Sequence, residues 1–531
     1  MIQLGGKPQW TILHHNGPLF PPLYKKHNIP IIINNTDIIL SELAEEYATL
    51  YAKYIDTEYF KNKIFKKNFW KDFKNILLKD SAIINANITI KYIDDIDFKL
   101  IHNYLILLKE NKDNQSKEEK LKQKEFIDMI EAPYKLCIID GVQQNISNFK
   151  MEPPGIFIGR GNHPKLGCIK KRIMPEDVTI NISKDSPIPE PNLEGHKWGK
   201  VIHDKNVIWL ASWNDTISNK TKYMFTSFDS FFKSESDKSK FDLARTLKKK
   251  VNNIRSTYEK DLLNDDIKIK QLATALYLID NLALRVGGQK DTSEKADTVG
   301  VTSLRVEHIT LLDDNIIKLD FLGKDSIRFY KKIAVHTDVY KNLKLFLTNK
   351  TKKDMIFNLI NSSMLNEYLN SFMKNLTSKV WRTYNASHTF QLKINNIKLS
   401  SSISKEEKLN YLISKFNEAN TEVALLCNHQ KNVNEDKINV SIKKYDQRID
   451  KLKQKPDSKE NKIKLRILNL KKKTKLKMKN VSLGTSKNNY IDPRIIFAFI
   501  KKYDIPPEKL FTKTSLVRFT WAQDVDKDYV F

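Results

Sequence analysis

LATALYLIDNLALRVGG, residues 272–288, places apolar side chains at 272, 276, 279, 282 and 283 and then meets two glycines. That spacing predicts a buried helix stopping at Gly287–Gly288, with Arg285 in its last turn. Downstream, IIKLDFLGKDSIRFYKKI (316–333) alternates apolar and polar residues on both sides of Gly323-Lys324-Asp325, which predicts a hairpin with Lys324 at its tip. KVWRTYNASHTFQL (379–392) and EVALLCNHQ (422–430) read as helices, the first carrying Arg382 early and the second ending at His429. Residues 235–432 are therefore expected to be mostly helical.

The rest of the chain is organised differently. Residues 1–37 are rich in Pro and Asn and read as extended segments and turns. SELAEEYATLYAKYI (41–55) sets Leu43, Tyr47, Leu50, Tyr51 and Tyr54 at helical spacing, and YFKNKIFKKNFWKDFKNILL (59–78) puts aromatics on one face and lysines on the other. A helical unit over 38–125 with a basic face follows, its aromatic stripe read first as core. PPGIFIGRGNHPKLGCIKKRIMPEDVTINIS (153–183) predicts short strands joined by loops, and KVIHDKNVIWLASW (200–213) a hairpin turning at Asp204–Asn206. GRGNHPKLG (159–167) lacks the GK[ST] ending of a phosphate-binding loop, so it gives no sign of nucleotide hydrolysis. In 437–480, Ile438, Ile442, Tyr445, Ile449 and Leu452 repeat every three or four residues. Lys455-Pro456-Asp457 interrupts, and Ile463, Ile467 and Leu470 resume. That pattern predicts an antiparallel coiled-coil hairpin. It holds 17 Lys/Arg against 4 Asp/Glu, a net of +13; a solvated arm and an arm lying near phosphates both fit.

Bulk properties narrow the classes. With 531 residues the chain exceeds one hydrophobic core, and 40% apolar residues suffice to fold. Runs long enough to span a membrane are missing, and MIQLGGKPQW resembles neither a secretory nor a transit peptide. Three distant cysteines (Cys137, Cys168, Cys427) and the lack of an HExxH motif argue against disulfides and metal. The formal charge of +28 favours a polyanionic partner, nucleic acid before an anionic membrane.

One residue in the basic stretch GTSKNNYIDPR (484–494) could attack such a polyanion: Tyr490. Its phenol, ordinarily of pKa about 10, needs help. A five-coordinate phosphorus requires fixed cationic donors, for which arginine is best shaped, and the departing oxygen requires a proton, which a lysine can give. Arg285, Lys324, Arg382 and His429 are available; periodicity does not show that they converge.

NGPLFPPLY (16–24), GRGNHPKLG, KKRIMPEDV (170–178), ADTVGVTSLRVEH (296–308), FLGKDSIRFY (321–330), RTYNAS (382–387), LCNHQ (426–430) and SKNNYIDPR (486–494) together resemble the eukaryotic type IB DNA topoisomerases. The resemblance runs in order along almost the whole chain, broken mainly at 55–130 and in the coiled coil. It implies a multidomain α+β fold: a bilobed clamp around DNA, with a mixed α/β cap lobe, a mostly helical tyrosine-recombinase-like catalytic domain and a coiled-coil linker. The segments expected are a β-rich core subdomain at 1–37 and 126–232, a helical cap at 38–125, a catalytic core at 233–432, the linker at 433–481 and a C-terminal domain at 482–531.

The resemblance also implies roles. Tyr490 matches the nucleophile that takes the 3′-phosphate, Arg285 and Arg382 the pair holding the scissile phosphate, and His429 the donor to a non-bridging oxygen. Lys324 matches a minor-groove lysine and general acid. DNA contacts are expected from Arg160, Asn162, Lys170, Lys171, Arg172, Lys324, Asp325, Asn385 and Asn489, and a camptothecin-type inhibitor site from Arg160, Asp325 and Asn489. No metal or nucleotide cofactor is implied; the partner is double-stranded DNA held by a monomer, without a membrane, and the location the nucleus, a mitochondrial or dual one remaining open.

The sequence departs from the pattern at Ile158, Gly288-Gln289, Asn488 and Lys431, none of them a catalytic position, and the family's long charged N-terminal tail does not precede the matched motifs. A tyrosine recombinase shares the Arg-Lys-His-Arg-Tyr set, but the basic coiled coil between His429 and Tyr490 and the breadth of the match speak against it. A non-catalytic DNA-binding scaffold would have little reason to keep all five groups.

Overall fold

The computed structural model describes residues 8–399, 404–431 and 435–531; positions 1–7 and the expected start of the linker at 433–434 lie outside the described residues. The chain forms two compact units, 1–230 with 291–296, and 231–290 with 297–531. Both mix helix and sheet, so the fold is multidomain α+β. Among the described residues, no helix is long and apolar enough to cross a membrane.

In the first unit, strands β1 (Leu13–His15), β2 (Ile31–Ile33) and β3 (Thr36–Ile38) precede helices α1 (Glu42–Ala52), α2 (Lys63–Leu77) and α3 (Ser81–Ala86). β4 (Ile96–Asp97), α4 (Lys99–Asn114) and α5 (Lys117–Glu131) follow. Next come β5 (Leu136–Ile139), β6 (Val142–Asn145), β7 (Gly155–Ile156), β8 (Ile169–Lys170) and β9 (Thr179–Asn181). β10 (Lys200–Ile202), β11 (Ala211–Asn214) and β12 (Thr221–Met224) complete the unit.

The aromatic stripe of α2 is core: Phe65, Phe69 and Phe73 are fully buried, and Tyr51 of α1 stacks on Phe69 at 4.3 Å between ring centroids. β2 and β3 add Ile31, Ile33 and Ile38 to the same core, so the packing runs across residue 37 without a break. Leu43, expected on the buried face of α1, is instead exposed. The buried face is turned toward Ala44, Tyr47, Ala48 and Tyr51, because Glu45 and Glu46 also point inward. Glu45 accepts hydrogen bonds from the backbone of His27 and Asn28 and from the Tyr24 hydroxyl, while Glu46 pairs with Arg172.

The hairpin expected over 200–213 does not form. β10 lies parallel to β9, and β9 separates it from β11 in the order β10-β9-β11-β12. The Asn181 side chain fills the would-be turn, accepting from the Asp204 amide and donating to the carbonyls of Asp204 and Trp209. The actual hairpin is β11–β12, turned by Asp215, whose carboxylate accepts from the backbone of Ile217 and Ser218.

The second unit opens with α6 (Phe231–Asp261) and α7 (Ile267–Leu282). An antiparallel sheet of β13 (Ile309–Leu312), β14 (Ile316–Leu322) and β15 (Arg328–Ala334) follows, with Lys324 between β14 and β15 as the alternation predicts. α8 (Thr337–Leu347), α9 (Ser362–Phe372), α10 (Ser378–Asn395) and α11 (Lys405–Leu426) come next. α12 (Glu435–Lys453) and α13 (Lys459–Lys477) are two helices separated at Lys455-Pro456-Asp457, as expected. α14 (Leu483–Asn489), α15 (Pro493–Tyr503) and α16 (Lys513–Arg518) close the chain. Ile491, Ile495, Ile496 and Phe499 share one continuous core with α6, α7, α10 and α11, so the Tyr490 segment is built into this unit.

A single carboxylate ties three of these helices. Asp280 of α7 accepts two hydrogen bonds from Arg255 of α6 at 2.8 Å each, one from Tyr258 at 2.8 Å and one from the Trp381 indole of α10 at 2.9 Å. Removing it strands a guanidinium and a buried indole donor together. Asp280→Ala is expected to destabilise the second unit by about 3 kcal/mol, read as a lowered urea midpoint, while Asp313→Ala on the exposed β13–β14 turn leaves the midpoint in place.

Candidate active site

α7 ends earlier than its sequence suggests. Ala283 takes a left-handed conformation (φ 47°) and closes the helix at Leu282, which leaves Arg285 in the extended segment beyond. Side chains of α10 make this stop favourable: Asn385 donates to the Asp280 carbonyl at 2.7 Å and Arg382 donates to the Ala283 carbonyl. The Arg285 segment is then pinned by Val301 and Thr302, whose amides donate to the carbonyls of Arg285 and Val286 at 2.9 and 2.8 Å. This crossing is backbone on backbone. A Cβ on Gly300 would lie 2.5 Å from Gly287 and 2.6 Å from the Arg285 carbonyl oxygen. Gly287 is therefore a packing requirement, not a helix stop.

Arg382 is the centre of the site. Its side chain is buried, and besides Ala283 it donates to the Cys427 carbonyl at 3.1 Å. These two carbonyls belong to the C-terminal caps of α7 and α11, so one guanidinium ends two helices at their electronegative poles. It lies 5.2 Å from the centre of the Tyr490 ring, and its Nε has no hydrogen-bond partner among the described residues. A small cleft of about 40 Å³ is lined by Arg285, Gly323, Lys324, Arg382, Cys427 and Asn428, which brings both arginines and the hairpin lysine together.

His429 also lies against the tyrosine, with ring centroids 5.0 Å apart. It lies just past α11, held by its amide to the Ala424 carbonyl (2.7 Å), by its carbonyl to the Ser482 amide (2.7 Å), and by Nδ1 hydrogen-bonded to Ser486 Oγ (2.7 Å). Nε2 has no partner among the described residues. Burial, then the charges of Arg382, Arg285 and Lys324, push its pKa down to about 3, so the ring is neutral at working pH. Tyr490 itself responds to opposing effects. Burial alone would raise its pKa, but Arg382 and Arg285 outweigh that and bring it below the ordinary tyrosine value. Its carbonyl accepts from Ser387 of α10 at 3.1 Å, and its amide donates to Ser486.

All five sequence-selected residues thus sit in the second unit, four of them in direct ring, charge or cleft contact around Arg382. Lys324 and Asp325 are exposed on the β14–β15 loop, and Asn489 is exposed beside the tyrosine. Asn385 and Arg172, expected on DNA, make intramolecular contacts here. Asn385 is buried on α7, and Arg172 is held at 2.7 Å by Glu46 and at 2.9 Å by the Pro22 carbonyl. In the first unit Lys170 pairs with Glu152, whereas Arg160, Asn162 and Lys171 are exposed, as is Ile158 where an arginine was expected. Sequence reading missed Ser387 and Ser486, although both lie inside the motifs that drew attention to Arg382 and Tyr490.

Comparisons with known proteins identify the family. Residues 8–226 match the DNA binding fragment of eukaryotic DNA topoisomerase I, 229–463 its catalytic core and 460–531 the C-terminal topoisomerase domain. The chain belongs to the eukaryotic DNA topoisomerase I family. It is 42% identical to human DNA topoisomerase 1 over 562 residues, covering 98% of this chain and 72% of the relative. It is 40% identical to Arabidopsis thaliana DNA topoisomerase 1 beta over 561 residues, covering 99% of this chain but 60% of that protein. The Caenorhabditis elegans DNA topoisomerase 1 is 41% identical, with 98% of this chain and 68% of the relative covered. The topoisomerase core match includes Arg285, Lys324, Arg382 and His429, and the C-terminal match includes Tyr490.

A histidine held neutral predicts a distinctive pH response. DNA cleavage by this topoisomerase family member should show no inflection near 6.5, and its rise should reflect a tyrosine titrating below about 10; single-turnover cleavage from pH 5 to 10 measures both. Because only the unfolded chain protonates His429 between 6.5 and about 3, stability should fall as pH drops through that window.

Proposed function

We propose that this chain relaxes positively and negatively supercoiled DNA by transient cleavage of one strand. Tyr490 Oη attacks a backbone phosphorus. The new O–P bond joins the enzyme to the 3′-phosphate, the P–O5′ bond breaks, the phenol proton passes to water or a nearby base, and Lys324 protonates the departing 5′-oxygen. Arg285, Arg382 and His429 stabilise the charge gathering on the non-bridging oxygens. The phosphotyrosyl ester keeps the energy of the broken bond, so the freed 5′-hydroxyl reverses the attack after the downstream duplex has turned. Neither ATP nor a metal is needed, because two guanidinium groups and an ammonium supply the positive charge. The observation that carries this reading is the orphaned Nε of Arg382 and Nε2 of His429, both groups within about 5 Å of the ring of a tyrosine whose pKa is lowered.

The finer assignments rest on the family resemblance. Arg160, Asn162, Lys170 and Lys171 contact the DNA backbone from the first unit, and Asp325 and Asn489 join Arg160 at the inhibitor site. The protein acts in the nucleus as a monomer, clamping one duplex between a cap lobe and the catalytic unit. The five-domain division at 37/38, 125/126, 232/233, 432/433 and 481/482, with 1–37 and 126–232 counted as one domain, belongs to the same reading, with α12–α13 as the coiled-coil linker.

Relaxation of both supercoil signs should persist in EDTA without ATP, and peptide mapping should find the DNA adduct on Tyr490. Tyr490→Phe should bind DNA and form no adduct; relaxation by that variant would refute the assignment. Binding should weaken steeply with salt, since phosphates supply most of the contacts. Replacing residues 450–466 by a short flexible linker removes the outer hairpin but spares Ile467, Leu468 and Thr474, which are buried. This change should alter relaxation rate more than single-turnover cleavage.

A further inference from the structure

His429 can serve the phosphate only as a hydrogen-bond donor, and a neutral imidazole carries one N–H. If that proton sits on Nδ1, Nε2 presents a lone pair to a negatively charged oxygen and repels it. Something must therefore fix the tautomer. Arg382, Arg285 and Lys324 disfavour the imidazolium, and that repulsion does not by itself put the remaining proton on Nε2.

The partner of Nδ1 is Ser486 Oγ at 2.7 Å, and the serine is fully buried. Among the described residues that is the one hydrogen bond of this hydroxyl, which is buried away from solvent. The backbone of Ser486 is committed to the nucleophile: its carbonyl accepts from the amides of both Tyr490 (3.0 Å) and Ile491 (3.1 Å). One residue thus touches the imidazole with its side chain and holds the tyrosine turn with its main chain.

We propose that Ser486 is a positioning residue that donates its hydroxyl proton to His429 Nδ1, locking the imidazole in the Nε2–H form aimed at the scissile phosphate. The inference rests on the role of His429 proposed above. No bond is made or broken by the serine; it selects which nitrogen donates and fixes the ring plane. It also couples the two halves of the site, since the histidine acquires its donor tautomer only when the Tyr490 segment is docked.

The test uses the full chain and a suicide duplex with stereospecific sulfur at either non-bridging oxygen of the cleaved phosphate. Ser486→Ala should slow cleavage roughly 100-fold, the scale for losing one transition-state donor, with DNA affinity unchanged. It should also abolish the rate difference between sulfur diastereomers that depends on His429, defined as the difference lost in His429→Ala. Adding Ser486→Ala to His429→Ala should cost nothing further. Nitrogen-15 shifts of labelled histidine should report Nε2–H in the parent chain and a mixture of tautomers in Ser486→Ala. If Ser486→Ala does not fold, Ser486→Cys, similar in shape but a weaker donor, carries the same series with a smaller loss.

Parental cleavage rates in the serine variant, an unchanged sulfur effect, or losses that multiply with His429→Ala would overturn the proposal. A parent chain that forms no adduct at all would instead overturn the topoisomerase reading, so the two failures are distinct.

Discussion

The catalytic unit is organised around a buried positive charge that no carboxylate cancels. Among the described residues Arg382 pairs with no acid; it is solvated by the cap carbonyls of α7 and α11. Carbonyl dipoles at helix C-termini stabilise a guanidinium without neutralising it, so its charge remains available to the neighbouring phenol. A carboxylate in their place would have stabilised the fold equally well and removed the electrostatic reason for Tyr490 to be acidic. The Ala283 contact, together with Asn385 on the Asp280 carbonyl, also favours the point where α7 stops and Arg285 begins.

The second consequence of this charge is on His429. A buried histidine beside three cations is held uncharged. A neutral ring adds no further repulsion within a cluster already crowded with positive groups. Asp280 contributes from behind, where its four hydrogen bonds fix the register of α6, α7 and α10 on which those groups ride.

Much of this was legible in the sequence because it is local. The β14–β15 alternation, the break at Lys455-Pro456-Asp457 and the helical stripe of Phe65, Phe69 and Phe73 each follow from neighbours within a few residues. The errors share one origin, contacts between residues far apart in the chain. Arg285 left its predicted helix because α10, some hundred positions later, caps α7. The 200–213 segment lost its hairpin because β9 intervenes in parallel and Asn181 occupies the turn. Leu43 surfaced because two glutamates found partners inside. The five residues proposed as catalytic were selected by motif likeness, while Ser486 and Ser387 passed unnoticed, since a serine hydroxyl leaves no periodic or charge signature.

The two strands of chain entering and leaving the α12–α13 hairpin meet at its root. Gln430 and Val481 form an isolated bridge, the Lys431 amide donates to the Asn480 carbonyl, and the Ser482 amide closes on His429. The tip of the excursion, between the buried Ile449 and Ile467, holds no buried apolar side chain, so changing its length or charge gives up little core surface. That outer part can vary as a module while the chain on either side stays joined at a root a few residues wide.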